Sequence, residues 1–266
     1  MFSTKMVLPA HLLEQLPTGV SLGIGGVEAP ANEAATVRTS VLPLHLAELD
    51  AHLPDQGLLK GAVVELAVTG ASLATSIALA ACRAAQQEGL ERGGELGWCA
   101  FIDPTGTLYA PGVAQAGVAL ERLLVVRPPL EVLGRVALRI VESHAFGLTV
   151  IDTVGVPGAA ALAAPRAEAQ SGLALGPWAR IVRRLSLAVE ATEACVLLIT
   201  DSATARPVPL PVAMRIELGR PSESRLSLRI AKDRRGRVSG PKSIVWARPK
   251  PGSAQEARKG AVWGRK

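Results

Sequence analysis

Five short apolar runs, each separated from the next by a helix-like stretch, constrain the fold of this chain more than any other feature. The first lies within Leu58–Leu66 and the second is Trp98–Asp103. The others are Arg122–Pro129, Gly147–Val154 and Ala194–Asp201. Between them fall an Ala-rich helix beyond Ser76, a short helix ending at Gly117, a helix over Leu130–Ser143 and another over Leu173–Ala191. Strands alternating with helices predict an α/β fold, with a mostly parallel, doubly wound sheet. Such sheets take ligands at the carboxyl ends of their strands. Further on, Met214–Leu218 and Ser224–Ile230 alternate apolar with polar residues, as antiparallel strands with one solvated face do. Ser243–Trp246 would close that C-terminal extension of the sheet.

The connection after the first run carries the frame of a phosphate-binding loop without its chemistry. A working loop reads G-x-x-x-x-G-K-[ST] between strand and helix; its glycines let the backbone fold around phosphates and its Lys neutralises them. Here Val68 and Leu73 stand at the glycine positions and Ala74 at the Lys position, and only the hydroxyl of Thr75 remains. A side chain at the second glycine position points toward the volume a phosphate would fill. The absent Lys removes a charge-assisted contact worth about 1.5–3 kcal/mol and leaves transition-state charge unsupported. From the loop alone, a plain strand-to-helix connection that never held nucleotide is an equal alternative.

The runs taken together resemble the RecA ATPase core, over about residues 42–247. Cys99-Ala100-Phe101-Ile102-Asp103 is similar to that family's second strand. The resemblance implies a RecA-like P-loop ATPase fold. It places Thr105 where the family has the Glu that activates water, and Asp152 at the Walker B carboxylate. It places Asp201 where the family has the Gln that senses the γ-phosphate. With the loop residues, these substitutions imply a degenerate ATPase that binds no cofactor and catalyses nothing. Asp152 and Thr75 also have an ordinary reading as loop or helix caps.

A second resemblance is narrower. Pro43–Pro54 followed by Asp55-Gln56-Gly57-Leu58-Leu59-Lys60-Gly61 is similar to the entry motif of the ImuA family. These are RecA-related proteins of the damage-inducible mutagenesis cassette. Leu228–Gly236, a strand running into basic residues, is similar to the end of that family's core. What the resemblance implies is an accessory role in translesion synthesis. The implied partners are ImuB, RecA as a second partner, and through ImuB an error-prone C-family DNA polymerase. Two other classes are weighed beside it: a weak ATP-dependent recombination protein, and a cell-division inhibitor of the SulA type.

Composition bounds the rest. At 266 residues the chain can bury one substantial core. We expect residues 1–40 to be an extension or linker, 41–248 the core domain and 249–266 a flexible basic tail. No apolar run reaches the roughly 18–20 residues that span a bilayer, and the N-terminus is weakly apolar for a signal peptide. Cys82, Cys99 and Cys195 fall within strand or helix patterns and read as reduced, buried residues of a cytoplasmic protein. No Cys or His pattern suggests a metal.

Charge is uneven: residues 232–266 hold 11 Lys/Arg against 2 acids, while the remainder sums to −3. Lys232, Arg234, Arg235 and Arg237 are candidates for a weak, salt-sensitive DNA contact or for docking an acidic protein. The alternative is a solvated arm. In the helix near Trp178, the residues Trp178, Ile181, Val182 and Leu185 share one face and should meet the sheet. Arg180, Arg183 and Arg184 would then face outward and could serve a partner. The connections after the fourth and fifth runs lack the basic, aromatic-lined groove of a single-strand binder. We therefore expect neither an ATP-driven filament nor strand exchange.

Overall fold

The computed structural model describes residues 40–69, 73–154, 176–202 and 210–246. In chain order the elements are β1 (Val41–Leu42), α1 (Ala47–Asp50), β2 (Leu58–Leu59), β3 (Ala62–Val68), α2 (Ala74–Gly93), β4 (Cys99–Ile102), α3 (Ala110–Gln115) and β5 (Leu123–Val126). They continue with α4 (Leu133–Glu142), β6 (Leu148–Asp152), α5 (Gly176–Val189), β7 (Cys195–Asp201), β8 (Met214–Ser222), β9 (Arg225–Asp233) and β10 (Lys242–Val245). Trp98 precedes its strand and is 43% exposed. The helix expected from Leu130 opens with one 3-10 turn before α4.

β1 and β2 form a small antiparallel pair, and the other strands lie in one sheet ordered β10-β9-β8-β3-β7-β6-β4-β5. From β8 to β5 all neighbours run parallel; β9 and β10 add in antiparallel sense. The sequence reading is corrected at β8. Alternation and nearness to β9 suggest an antiparallel strand, but β8 pairs parallel with β3 as well as antiparallel with β9. β7 and β8 flank β3 on opposite sides, and local alternation carries no information on that order.

Strand position explains strand composition. β3 lies in mid-sheet and all seven of its residues are buried, so its sequence is an unbroken run, Ala-Val-Val-Glu-Leu-Ala-Val. Its side chains alternate between two cores. Val64, Leu66 and Val68 join Ile77, Ala81 and Cys82 of α2; Val63 joins Leu133 and Ala137 of α4 and Trp178, Val182 and Leu185 of α5. Ile181, expected on the sheet side of α5, packs against that second core and closely approaches Gly134 of α4. α2 brings small residues to the sheet, and it ends at Gly94, whose left-handed φ of 74° suits glycine.

The segment between β1 and β2 is held from within. The Asp50 carboxylate accepts bonds from the backbone N–H of Leu44 (3.1 Å) and Leu46 (3.1 Å), which turns the chain so that Leu44, Leu49 and Leu53 enter the core. At Gly57 a Cβ would lie 2.7 Å from the Leu42 carbonyl oxygen, so no side chain fits. The Pro-Asp-Gln-Gly part of the entry motif thus has a packing reason. Among the described residues, no helix is long and apolar enough to cross a membrane.

Candidate functional site

Four adjacent parallel strands end along one rim. β3 ends at Val68, directly across from Asp201 of β7. β6 ends at Asp152, opposite Ile199 of β7, and β4 is followed by Asp103. The fold therefore brings Val68, Asp103, Asp152 and Asp201 together at the carboxyl edge, where a doubly wound sheet takes its ligands. Cross-links knit the rim. The Ser202 backbone N–H donates to Val68 O (2.7 Å), the Thr69 N–H donates to Leu218 O (2.9 Å), and the Thr69 and Ser202 hydroxyls are bonded to each other.

The side chains at the loop positions turn inward. Val68 is buried in the core on the α2 side, and half-buried Leu73 packs against the same core. Ala74 is buried at the first turn of α2, whereas Thr75 beside it is exposed. Residues 70–72 lie outside the described residues. No lysine or arginine is recorded in contact with Thr75 or Asp152 among the described residues.

The acids differ in their surroundings. Asp103 is fully buried, and its two carboxylate oxygens accept bonds from the Thr107 N–H (3.1 Å) and the Leu108 N–H (2.9 Å). The Thr105 hydroxyl donates to Asp103 Oδ1 (3.3 Å), and the Arg127 guanidinium stands 3.5 Å from Oδ2. Thr105, at the position of the family's Glu, thus serves as a turn residue for Asp103. Among the described residues, Asp152 accepts one bond, from the Val154 N–H (2.9 Å). Burial, helped by the nearby Asp103 charge and opposed by that bond, pushes its carboxyl up to about 6. A group so poised is half-protonated near pH 6 and mostly ionised at neutrality. Asp201 is half-buried at the end of β7.

The basic candidates separate into two groups. Arg237 is committed internally: its Nη1 and Nη2 grip both oxygens of Asp55 (2.7 and 2.9 Å), and its Nε donates to buried Asp233 (2.7 Å). Arg235 stands 3.6 Å from Asp55, and Lys232 Nζ donates to the Leu210 carbonyl (3.3 Å). Arg234 is exposed. By contrast Arg180, Arg183 and Arg184 all face outward from α5, as the helical spacing predicts. The sequence reading missed Arg135 and Arg139, exposed on α4, which packs beside α5. Their spacing of four along a helix was a usable signal, but only the fold makes the two helices neighbours.

It also missed Glu65, a buried carboxylate in the middle of β3. The Thr200 hydroxyl donates to its Oε1 (2.7 Å), and Arg215 of β8 lies 3.6 Å from Oε2. Arg215 in turn reaches Glu217 (3.3 Å), which pairs with Arg229 (3.2 Å). A charge inside an apolar strand run was the visible sign of this network.

Comparison with known proteins places these features in a family. The model of the RecA N-terminal domain matches residues 20–204. A RecA protein of Brucella anthropi is 31% identical over 187 residues, covering 66% of this chain and 46% of that protein. One from Bartonella quintana is 30% identical over 192 residues, with 68% and 51% covered. One from Streptococcus pyogenes is 29% identical over 177 residues, with 64% and 43% covered. The chain thus spans about half the length of the curated relatives it matches.

Proposed function

This chain belongs to the RecA N-terminal domain family, and from that premise we propose that it is a non-hydrolysing accessory protein of damage-inducible translesion synthesis. On this reading it is of the ImuA kind. It docks ImuB, takes RecA as a second partner, and serves an error-prone C-family polymerase through ImuB.

The observation that carries the proposal is the nucleotide position itself. A magnesium–triphosphate does not fit these residues. Val68 and Leu73 stand where a phosphate loop needs the backbone freedom of glycine, and both side chains pack into the core, not toward the phosphate volume as the sequence reading expects. Ala74 supplies no charge, Thr105 cannot act as a base, and Asp201 opposes a γ-phosphate by its sign. The Pro43–Gly61 entry motif, anchored by Asp50 and Gly57, supports the ImuA branch.

Calorimetry of the full chain with Mg-ATP is expected to give no saturable heat, and ImuB is expected to be captured at micromolar concentration. Saturable heat at sub-millimolar ATP, or failure to capture either ImuB or RecA, removes the proposal. Retention of Thr75 and Asp152, and the RecA names of the relatives, favour one second reading, a RecA-type recombination protein. The same calorimetry separates the two: ligand at about 100 times its Kd would raise stability by roughly 2.7 kcal/mol, visible as a shift in Tm.

A further inference from the structure

The turn that follows β9 carries Arg234, Arg235 and Arg237, and we propose that it docks an acidic segment of a partner protein and is held closed by Asp55, an internal stand-in for that segment's carboxylate. The inference stands apart from the adaptor reading. Its segment is defined by chemistry, whichever protein carries it.

The first observation is that the turn is built in advance. The buried Asp233 side chain accepts at one oxygen both the Arg237 backbone N–H (3.2 Å) and Arg237 Nε (2.7 Å). The Gly236 N–H donates to Asp233 O (2.9 Å), and its left-handed φ of 75° reverses the chain. Arg237 is thus fixed at its backbone and at Nε. Its Nη1 and Nη2 remain as a fork, which keeps its place whether or not Asp55 is in it.

The second observation is the present occupant. The fork closes on both oxygens of Asp55, at 2.7 and 2.9 Å, and Arg235 stands 3.6 Å from Oδ2. A carboxylate gripped by two parallel N–H bonds is the ligand a guanidinium fork is shaped to take. The pair is partly open to water, with the Asp55 and Arg237 side chains 30% and 36% exposed, so an outside carboxylate has access to it. The third observation is strain. Asp55 and Gln56 both carry left-handed φ values, 57° and 59°, in the short turn before β2. L side chains adopt that region at a cost. Release of Asp55 lets the turn relax, which offsets part of the lost ion pair and makes exchange easier.

Together these features select the partner. Arg234 is exposed, with no ion pair recorded among the described residues, and Val238 beside the fork is 63% exposed. A nucleic-acid backbone would use the arginines, but it gains nothing from Val238 and is held by cations spread along a strand, not gathered in one turn. What fits is a protein segment with several Asp or Glu around an apolar residue. One carboxylate takes the fork from Asp55, a second meets Arg234, and the apolar residue covers Val238. A site that its own acid closes nine-tenths of the time binds about ten-fold more weakly than the open site.

Fluorescence anisotropy with the full chain tests this. The probes are a labelled peptide with Asp and Glu around a Leu, its Asn/Gln counterpart, and a labelled DNA duplex. Asp55→Asn removes the stand-in's charge, and Asn tolerates a left-handed φ, so the turn is kept. This variant should bind the acidic peptide roughly ten-fold or more tightly than wild type, with no gain for the neutral peptide. Adding Arg234→Glu should reverse the gain. Asp55→Gly, which suits that φ better still, should behave as Asp55→Asn does. In wild type, saturating acidic peptide should quicken limited proteolysis within residues 43–57, because Asp55 is let go. No gain in either Asp55 variant, an equal gain for the neutral peptide, tighter binding of duplex than of acidic peptide, or cleavage unaltered by saturating peptide would each overturn the inference. Failure to capture ImuB removes the adaptor reading and leaves this one standing.

Discussion

At the scale of single residues, burial decides what a polar group can do. Asp152 has its carboxyl pushed up to about 6 because burial removes water and one backbone N–H is its recorded donor. Its folded value lies above the unfolded one, so between about pH 4 and pH 6 the folded protein holds a proton that the unfolded chain has released. Stability contributed by that proton is present at low pH and is lost as pH rises through 6, a change of roughly 3 kcal/mol for a two-unit shift. Asp152→Asn keeps an acceptor for the Val154 N–H and has no charge to bury. The variant is expected to be about 1–3 kcal/mol more stable than wild type at pH 7, with the advantage gone near pH 4. Urea midpoints at the two pH values measure this; equal midpoints for both proteins at pH 7 would refute it. The cysteines show the same rule. The Cys195 thiol is pushed up to about 12 by burial, and Cys99 donates weakly to the Cys82 carbonyl (3.4 Å), so all three are inert packing residues.

At the scale of elements, a close backbone approach fixes where the chain enters β4. Near its C-terminus α2 runs so near the chain entering β4 that a Cβ on Gly89 would lie 2.3 Å from the Gly97 nitrogen and 2.5 Å from its Cα. The Gly97 N–H also donates to Gln86 O (3.0 Å). In an isolated helix Gly→Ala would stabilise by about 1 kcal/mol. Here the backbone contact wins, because neither neighbour is a flexible side-chain end. Gly89→Ala is expected to destabilise by about 2–4 kcal/mol, as overpacking does, and equilibrium denaturation would show it. A stabilised variant would mean that α2 and the β4 entry can separate freely. Contrast Gly134, where an added Cβ meets the tip of Ile181, which can turn aside. The helical pattern of α5 was legible from Trp178, Val182 and Leu185. That Ile181 reaches a neighbouring helix was not, since periodicity describes a face and not what lies against it.

At the scale of the whole molecule, a clamp joins distant parts of the chain. Asp55, in the entry motif, and Asp233, at the end of β9, are both held by Arg237. The Arg237 hydrogen bond draws the Asp55 carboxyl below its ordinary value, and the paired acids raise the Arg237 guanidinium. Arg237→Ala leaves buried Asp233 without its cation, and a loss of about 2–4 kcal/mol is expected at pH 7. Asp55's share of that stability is present above its unfolded value near 4 and is lost as pH falls through the lower folded one, so the deficit should shrink in acid. Limited proteolysis within residues 43–57 should quicken in the variant; unchanged cleavage would argue against the clamp. Lys cannot replace the fork, so Arg237→Lys should recover little. As a consequence, part of the basic stretch read as a partner contact is occupied at home.

From the sequence alone came the parallel α/β sheet, the approximate course of five of its parallel strands and the outward face of α5. Each follows from a local rule of periodicity or burial that neighbouring residues obey together. The positions that depart from a phosphate-binding loop were equally plain, since identity at a position needs no coordinates. Tertiary structure alone decided the parallel partner of β8, the inward turn of Leu73, the Glu65–Arg215 network, the commitment of Arg237 to Asp55 and the union of Arg135 and Arg139 with the α5 arginines. These depend on which elements lie side by side. That is settled by the packing of the whole chain around its two apolar layers, and sequence distance does not encode it.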